Sequence, residues 1–264
     1  EQIAGDELYP QDLSARIATG FCSHWPDESN AQDLRQRRQD ILNDLTDTLG
    51  ATVLGLTVGC AKCHDHKYDP IPQKDYFRLQ AFFAGVRPRE DLVLLSSNQH
   101  TDWQRQQADW EGKTSSIRTQ LATLEEPVRK RFFESRKGRF PKEVQEAIET
   151  VPAKRTSLQW LLYHKALPQL EMTEGDVASG VNSEKAEVKS RWKELRKQLD
   201  SFRNLKPDPL PLGQGITDVG AEVPKTFLLA GGLMNKPLEE VQPGFLSTIT
   251  TESPQISAPN NESS

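Results

Sequence analysis

The sequence predicts a mainly α-helical protein with two kinds of helical region and little strand. Apolar residues recur at spacings of three, four and seven between Leu34 and Leu56, which is typical of a helix with one buried face. Two later heptad-like series predict the arms of an antiparallel coiled-coil-like hairpin. We therefore expect a helical module in residues 1–98 and a helical hairpin with a helical tip in 99–204. A linker, a short strand and an extended tail follow in 205–264.

Three helices build the predicted first module. A short amphipathic helix covers Leu13 to Phe21, and a longer helix runs from about Asp33 to Leu56, with Ser29 or Asn30 as its N-cap. A third, aromatic-rich helix runs from about Gln73 to Ala84. Its wide apolar face would suit either a porphyrin edge or an ordinary core.

Two separate apolar series define the predicted hairpin. The first series repeats at every seventh residue, with Trp103, Trp110, Ile117 and Leu124, and Leu121 and Val128 join it. The second alternates steps of four and three, with Val188, Trp192, Leu195, Leu199 and Phe202. Residues from about 130 to 180 would form the tip of the hairpin, and a helical domain without a long hairpin is the alternative. Beyond the hairpin, Lys225 to Ala230 predicts a strand.

The composition of the chain limits the classes of function. Hydrophobic residues are 35% of the 264 residues and charged residues 27%, which is polar but sufficient for a core. The formal net charge is −5, without a long run of one sign. Nucleic acid is therefore not an expected partner, because binding to phosphates needs a basic face. No run of about 18 apolar residues occurs, so the sequence predicts no membrane span.

The segment Cys60-Ala61-Lys62-Cys63-His64 carries most of the functional information. It has the pattern C-x-x-C-H, which is the attachment signature of a c-type haem. Each thiol can form a thioether with a haem vinyl group, and the histidine is then held against the iron as an axial ligand. The sequence therefore predicts covalent haem c, with Cys60 and Cys63 as attachment residues and His64 as the proximal iron ligand.

Other interpretations of the motif remain open. A zinc site would use Cys60, Cys63, His64 and His66, but these four lie within seven residues, a loop too short to surround one tetrahedral ion comfortably. A thioredoxin-like thiol pair would follow a strand in a βαβ unit, whereas a helix is predicted before this motif. Chance occurrence is the third alternative. Haem is the interpretation that we prefer.

The sixth ligand of the iron is not evident from the sequence. The candidates are His24, His66, His100, His164, Met172 and Met234. His66 is tethered too closely to His64 to reach the opposite face of one porphyrin, so a second haem, a propionate or local capping would suit it better. Lys67 could pair with a haem propionate or help to turn the chain. An open sixth position would favour chemistry on small ligands over simple electron transfer.

An extended stretch around the motif resembles a known family. Residues 55–71, G-L-T-V-G-C-A-K-C-H-D-H-K-Y-D-P-I, are similar to the cytochrome c-like domain of large planctomycete-type secreted proteins that carry paired domains of unknown function. The resemblance is dense over residues 1–86. A weaker likeness at 224–227 and 239–245 matches the strand and loop that join this domain to its partner domain.

The resemblance implies a secreted or periplasmic haem protein, in which Cys60, Cys63 and His64 attach the haem. It marks His66 and Lys67 as part of the family motif without giving them a role. Haem is attached to C-x-x-C-H outside the cytoplasm, so we expect a signal segment upstream of Glu1 and a chain that is part of a longer protein.

We therefore expect a c-type cytochrome module with a single covalent haem, which transfers one electron at a time between partner proteins or domains. A larger haem-dependent oxidoreductase acting on polysaccharide or other organic substrates is one alternative. A structural or assembly protein that self-associates through the helical hairpin is another.

Overall fold

The fold is mostly helical with two small antiparallel sheets, which confirms the predicted class. The computed structural model describes residues 1–25, 31–220, 222–250 and 252–255. The α-helices are α1 (Gly5–Leu8), α2 (Leu13–Ala18), α3 (Leu34–Leu49), α4 (Gln73–Gln80), α5 (Ser97–Lys137), α6 (Lys142–Glu149), α7 (Ser157–Leu170), α8 (Glu174–Asn182) and α9 (Ala186–Asp200). The strands are β1 (Val86–Val93), β2 (Leu212–Asp218), β3 (Thr226–Leu229) and β4 (Pro237–Val241). Among the helices in these described ranges, none is long and apolar enough to cross a membrane.

The chain divides into two compact units. The first unit contains Glu1–Leu92, Pro141–Ala166 and Gln214–Ser264, and the second contains Val93–Phe140 and Leu167–Gly213. Each unit is therefore assembled from segments that are distant in sequence. The three predicted domains stay a prediction, because contacts within a folded chain do not show which segments fold on their own.

The helix that leads to the motif begins at a defined cap. The Asp33 side chain accepts a hydrogen bond from the backbone N–H of Gln36 at 3.0 Å, which satisfies one of the free N–H groups at the start of α3. The predicted caps Ser29 and Asn30 lie outside the described residues.

The same helix ends earlier than its apolar pattern predicts. The α-helical part stops at Leu49, and one π-helical turn, Gly50–Leu54, follows. Gly55 then has a φ of 67°, a conformation that glycine adopts without steric cost and that commonly ends helices. The periodicity alone misses this end, because the apolar spacing continues through the turn.

An apolar cluster lies beneath the C-x-x-C-H segment, and we call it the motif core. It consists of Val58, Ala61, Ile71, Tyr76, Phe77, Leu79, Leu229, Val241 and Leu246. Helix α4 contributes Tyr76 and Phe77, both fully buried, with ring centroids 5.2 Å apart in an edge-to-face arrangement. Tyr76 and Phe77 thus pack in an apolar core, and a contact of this helix with a porphyrin edge stays a prediction.

The two strands that complete the motif core form an antiparallel pair. Thr226 lies opposite Val241 and Phe227 opposite Glu240, with an irregular register before Leu229. The predicted strand from Lys225 to Ala230 is thereby confirmed as β3. The loop that joins β3 to β4 contains two consecutive glycines with positive φ, and this loop is important for the site.

The second unit is built on the long helix α5. A capping box between Ser96 and Gln99 starts this helix, and α5 packs against α8 and α9. The Trp192 indole N–H of α9 donates to Glu125 of α5 at 2.8 Å. Several of the predicted heptad positions are buried inside the unit, namely Trp110, Leu121, Val128 and Leu195. The two heptad-like series therefore pack together within one chain.

Candidate functional site

The C-x-x-C-H segment begins in a short 3₁₀ turn, Val58–Lys62, between α3 and α4, and Cys63 and His64 follow directly after this turn. Val58 and Ala61 are fully buried in the motif core, whereas Cys60 and Cys63 are exposed free thiols. His64 is exposed as well. The two buried residues fix the backbone of the turn, so that two thiols and one imidazole lie together on the surface.

The tautomer of His64 is set by its own loop. The Nδ1 atom lies 2.6 Å from the backbone carbonyl oxygen of Asp65. Because a carbonyl oxygen only accepts, Nδ1 carries the proton and donates it to this hydrogen bond. The lone pair is then on Nε2, the atom that a neutral histidine offers to a metal ion when its other nitrogen is engaged.

His66 has the opposite arrangement. Its Nδ1 atom accepts hydrogen bonds from the backbone N–H groups of Tyr68 at 3.2 Å and Asp69 at 2.8 Å. The proton is therefore on Nε2, which lies 3.4 Å from the Thr57 hydroxyl oxygen. The ring is only 5% exposed. These contacts favour the local capping role for His66, because the lone pair of its Nδ1 atom already accepts hydrogen bonds from two backbone N–H groups.

Lys67 lies on the exposed side of the same loop. Its ammonium is 5.1 Å from the centroid of the Tyr68 ring, within the range of a cation–π contact. Tyr68 itself is 82% exposed. The ammonium group of Lys67 is therefore near the Tyr68 ring, and its contact with a haem propionate stays a prediction.

Gln73, the first residue of α4, joins three segments of the site. Its side-chain amide donates to the carbonyl oxygens of Lys62 and Leu229, both at 2.8 Å. Its backbone N–H donates to the Asp65 carboxylate, also at 2.8 Å. A carboxylate at a helix N-terminus is favoured by the free N–H groups and the helix dipole. Gln73 thus connects the motif, helix α4 and strand β3.

Gly232 brings the β3–β4 loop against the motif. Its φ is 72°, and a Cβ atom at this position would lie 3.1 Å from the Cys63 sulfur and 3.2 Å from the Lys62 carbonyl oxygen. Gly231 has a similar φ of 62°, but a Cβ atom there would meet nothing within 4 Å. The loop therefore approaches Cys63 closely at one glycine and not at the other.

A partly buried carboxylate lies close to the motif. Burial raises the pKa of Asp47, and the hydroxyl of Tyr76 and the ammonium of Lys62 lower it in part. The Lys62 nitrogen is 3.8 Å from the Asp47 carboxylate. Burial, together with the nearby Asp47, raises the pKa of Tyr76 well above its usual range, so this phenol stays neutral.

The other candidate sixth ligands in the first unit, His24, His164 and Met234, have different surroundings. His24 lines a cavity of about 80 Å³ beside α3. The His164 ring stacks on Trp160, with centroids 5.4 Å apart, and burial lowers its pKa to about 4, with further lowering by Arg87. Met234 packs against the motif core.

The two remaining candidates lie in the second unit. His100 is in the first turns of α5, and Met172 packs against the buried valines of α5 and α8. In the part of the chain that the structure describes, no group of three or more His, Cys, Asp or Glu side chains is arranged to hold a metal ion.

A cavity of about 920 Å³ in the first unit has mainly apolar walls. Asp6, Glu7 and Asp218 contribute carboxylates to its lining. Burial raises the pKa of Asp218 to about 6, with smaller contributions from Glu7 and Asp6. The motif residues Cys60 and Cys63 do not line this cavity.

The sequence alone does not single out Gln73 or Gly232 as parts of the site. Gln73 and Gly232 act across 156 and 169 residues of chain respectively, to Leu229 and Cys63, and no local spacing rule predicts such contacts. The only sequence signal was the weak family likeness on both sides of the β3–β4 loop.

The comparisons with known proteins agree with part of the family resemblance. No curated protein and no solved structure matches the chain. Residues 1–88, a third of the chain, match the family model PSCyt2, which is described as a protein of unknown function (DUF1549). The first part of the chain, which includes the whole C-x-x-C-H segment, is thus similar to a planctomycete-type domain of unknown function.

Proposed function

We propose that the chain binds one haem c covalently through Cys60 and Cys63, with His64 as the proximal iron ligand, and serves as a one-electron transfer module. The observation that carries this proposal is the hydrogen bond from His64 Nδ1 to the Asp65 carbonyl oxygen, beside two exposed thiols. It leaves Nε2 as the ligand atom, in the way that metal-binding histidines are usually oriented.

The residues present fit the chemistry of haem attachment better than that of zinc. Both cysteines are exposed and form no disulfide in the structure, and they lie at the end of a turn that Val58 and Ala61 hold in place. A structural zinc ion would need four ligands, and the Nδ1 lone pair of His66 is already used by the backbone. Haem attachment requires only the two thiols and the single imidazole of His64.

The bound haem would supply the iron that accepts and releases one electron. The chain would supply attachment, orientation and electrostatics. Cys60 and Cys63 would fix the porphyrin edge, and His64 would keep its ligand atom oriented through the bond to Asp65. Gln73 would keep the turn in register with α4 and β3.

The proposal includes a location and partners. Thioether attachment to C-x-x-C-H takes place outside the cytoplasm, so we propose a periplasmic or secreted protein. One-electron transfer requires a donor and an acceptor, which would be partner proteins or further domains.

The two other functional hypotheses differ from this one in testable ways. A haem-dependent oxidoreductase would keep the sixth iron position open for a small ligand. An assembly protein would use apolar faces of the hairpin, but Trp110, Leu121 and Leu195 are already buried within one chain. This burial leaves less apolar surface for self-association through the hairpin.

The experiment is expression in a bacterial periplasm with a c-type maturation system, followed by a pyridine haemochrome spectrum of the denatured protein. We expect the native chain to retain one haem and the Cys60→Ala, Cys63→Ala double variant to retain none. Cys22→Ala is the matched control, because the Cys22 thiol is buried, with a pKa raised to about 11 by that burial. Absence of retained haem in the matured native chain, or its retention in the double variant, would overturn the proposal.

A further inference from the structure

The close approach of Gly232 to Cys63 indicates a second part of the attachment site, far from the motif in sequence. A methyl group at position 232 would lie 3.1 Å from the Cys63 sulfur, tighter than ordinary van der Waals contact. It would also lie 3.2 Å from the carbonyl oxygen and 3.3 Å from the Cγ atom of Lys62. Neighbours on two sides thus limit any relaxation of a side chain at this position.

The position of the loop is fixed from both directions. Its first strand, β3, is joined to the motif through Gln73, whose amide donates to both Leu229 and Lys62. Its own turn is closed by the backbone N–H of Ala230, which donates to Lys236 at 3.0 Å, and by that of Leu233, which donates to Ala230 at 3.2 Å. The loop therefore has little freedom to move away from the cysteine.

We propose that Gly232 is a positioning residue for Cys63, which keeps the space beside the sulfur open for thioether formation. This inference rests on the proposed haem attachment and adds to it the residue that decides whether the second thiol can react. No atom of Cys60 is among the nearest contacts of a Cβ atom at position 231 or 232. We therefore expect a side chain at 232 to affect the reaction of Cys63 and not that of Cys60.

The bond-forming step conserves atoms and electrons without a further reagent. The Cys63 sulfur adds to the inner carbon of a vinyl group, and a C–S bond replaces the π bond of that group. The thiol proton goes to the terminal vinyl carbon, which becomes a methyl group. Because the sulfur must approach the vinyl carbon to bonding distance, a methyl group held against it disfavours the reaction on steric grounds.

Gly231 provides a matched control for backbone strain. Both glycines have positive φ, so an alanine is strained at either position. Only the alanine at 232 also meets the Cys63 sulfur. Gly231→Ala therefore controls for an alanine at positive φ in this loop, without the contacts to Cys63 and Lys62.

The first experiment compares these two variants after maturation, with peptide mass spectrometry to locate the haem and a pyridine haemochrome spectrum to count its thioethers. We expect Gly231→Ala to carry haem on both cysteines. We expect Gly232→Ala to carry haem on Cys60 alone, with a reduced α band shifted to longer wavelength because one vinyl group is retained. Equal attachment at Cys63 in both variants would overturn the inference, whereas a native chain without haem would overturn the proposed function instead.

A second experiment does not depend on haem. The alkylation rate of Cys63 by a small maleimide is measured in the reduced apo protein, with circular dichroism to establish folding. We expect a several-fold slower reaction in Gly232→Ala and an unchanged rate in Gly231→Ala, with Cys60 unaffected by either change. Equal Cys63 rates in the two folded variants would contradict the role of Gly232.

If Gly232→Ala folds poorly, a double-mutant cycle with Cys63→Ala keeps the inference testable. Removal of the sulfur should recover the part of the lost stability that comes from the sulfur contact, whereas the part due to backbone strain and to Lys62 stays. An unchanged loss of stability in the Cys63→Ala background would show that the sulfur is not the group against which residue 232 packs.

Discussion

The backbone N–H of Asp69 donates a hydrogen bond to Nδ1 of His66 at 2.8 Å. The segment between them turns around the imidazole, since the N–H of Tyr68 donates to the same atom and the N–H of His66 donates to the carbonyl of Ile71 at 2.9 Å. The two histidines of the motif therefore have different functions. His66 organises the loop, and His64 has its Nε2 atom free for a ligand.

We expect His66→Ala to destabilise the chain without changing the proximal iron ligand. The change leaves two backbone N–H groups without their acceptor, and we expect a loss of about 1 to 3 kcal/mol in the free energy of unfolding. Urea denaturation measures this loss. In the haem-loaded protein, the visible spectrum of the proximal ligation should be preserved.

The reciprocal change is His64→Ala. This residue is exposed, and its one hydrogen bond is within its own loop, so we expect stability to change by less than about 1 kcal/mol. The visible spectrum of the loaded protein should change, because the proposed axial ligand is lost. The same spectral change in His66→Ala, with no effect of His64→Ala, would reverse the assignment of the two histidines.

Gln73→Ala should loosen the contact between the motif and β3. Its amide donates to two carbonyl oxygens, Lys62 and Leu229, and we expect its removal to cost about 1 to 3 kcal/mol in the free energy of unfolding. Lys74→Ala is the neighbouring control, because the ion pair of Lys74 with Glu239 is about half exposed. Such a pair contributes about 0 to 1 kcal/mol. Equal losses in the two variants would contradict the structural role of Gln73.

The sequence predicted the elements of the fold better than the contacts between them. The apolar stripe from Leu34 and the aromatic run at Tyr76 and Phe77 predicted α3 and α4, because helix periodicity is a local property. The end of α3 was missed, since the spacing persists through the π-helical turn. Within the site, the spacing of Cys60 and Cys63 is also a local property, so the C-x-x-C-H pattern can be recognised from the sequence directly.

Long-range hydrogen bonds and close approaches could not be predicted in this way. Nothing in the sequence around Gln73 indicates that its amide reaches Leu229, and Gly232 is one of sixteen glycines. The sequence leaves three roles open for His66, namely a ligand of a second haem, a propionate partner or a local cap. Its role in the loop follows from the directions of two backbone N–H groups, which only coordinates provide.

Asp75→Ala should destabilise the first unit strongly. This carboxylate is almost fully buried, pairs with Arg78 at 3.0 Å, and accepts from both the backbone N–H and the hydroxyl of Ser247 at 2.6 and 2.7 Å. Its removal leaves a partly buried guanidinium and a serine without their acceptor, at an expected cost of about 3 to 5 kcal/mol. Ser247→Ala removes only the hydroxyl contact and should cost about 1 kcal/mol. Denaturant unfolding of both variants measures the difference, and equal costs would contradict the assigned contacts.

Asp218 provides a test of electrostatics in the large cavity. Burial, aided by the negative charges of Glu7 and Asp6, raises its pKa from the ordinary value of 3.8 to about 6. The folded chain then binds a proton more tightly than the unfolded chain between these two pH values. Stability from this group is therefore fully present below about pH 4 and is lost as the pH rises through 6.

Asp218→Asn removes this titration while keeping the shape of the side chain. Relative to the native chain, we expect the variant to gain about 1 to 3 kcal/mol in the free energy of unfolding as the pH rises from 4 to 7, at about 1.4 kcal/mol for each pKa unit. The measurement is urea denaturation at several pH values, because the other titrating groups largely cancel in the difference. A flat difference for Asp218→Asn would mean that its carboxylate is ionised in the folded chain as readily as in water, against the burial seen in the cavity wall.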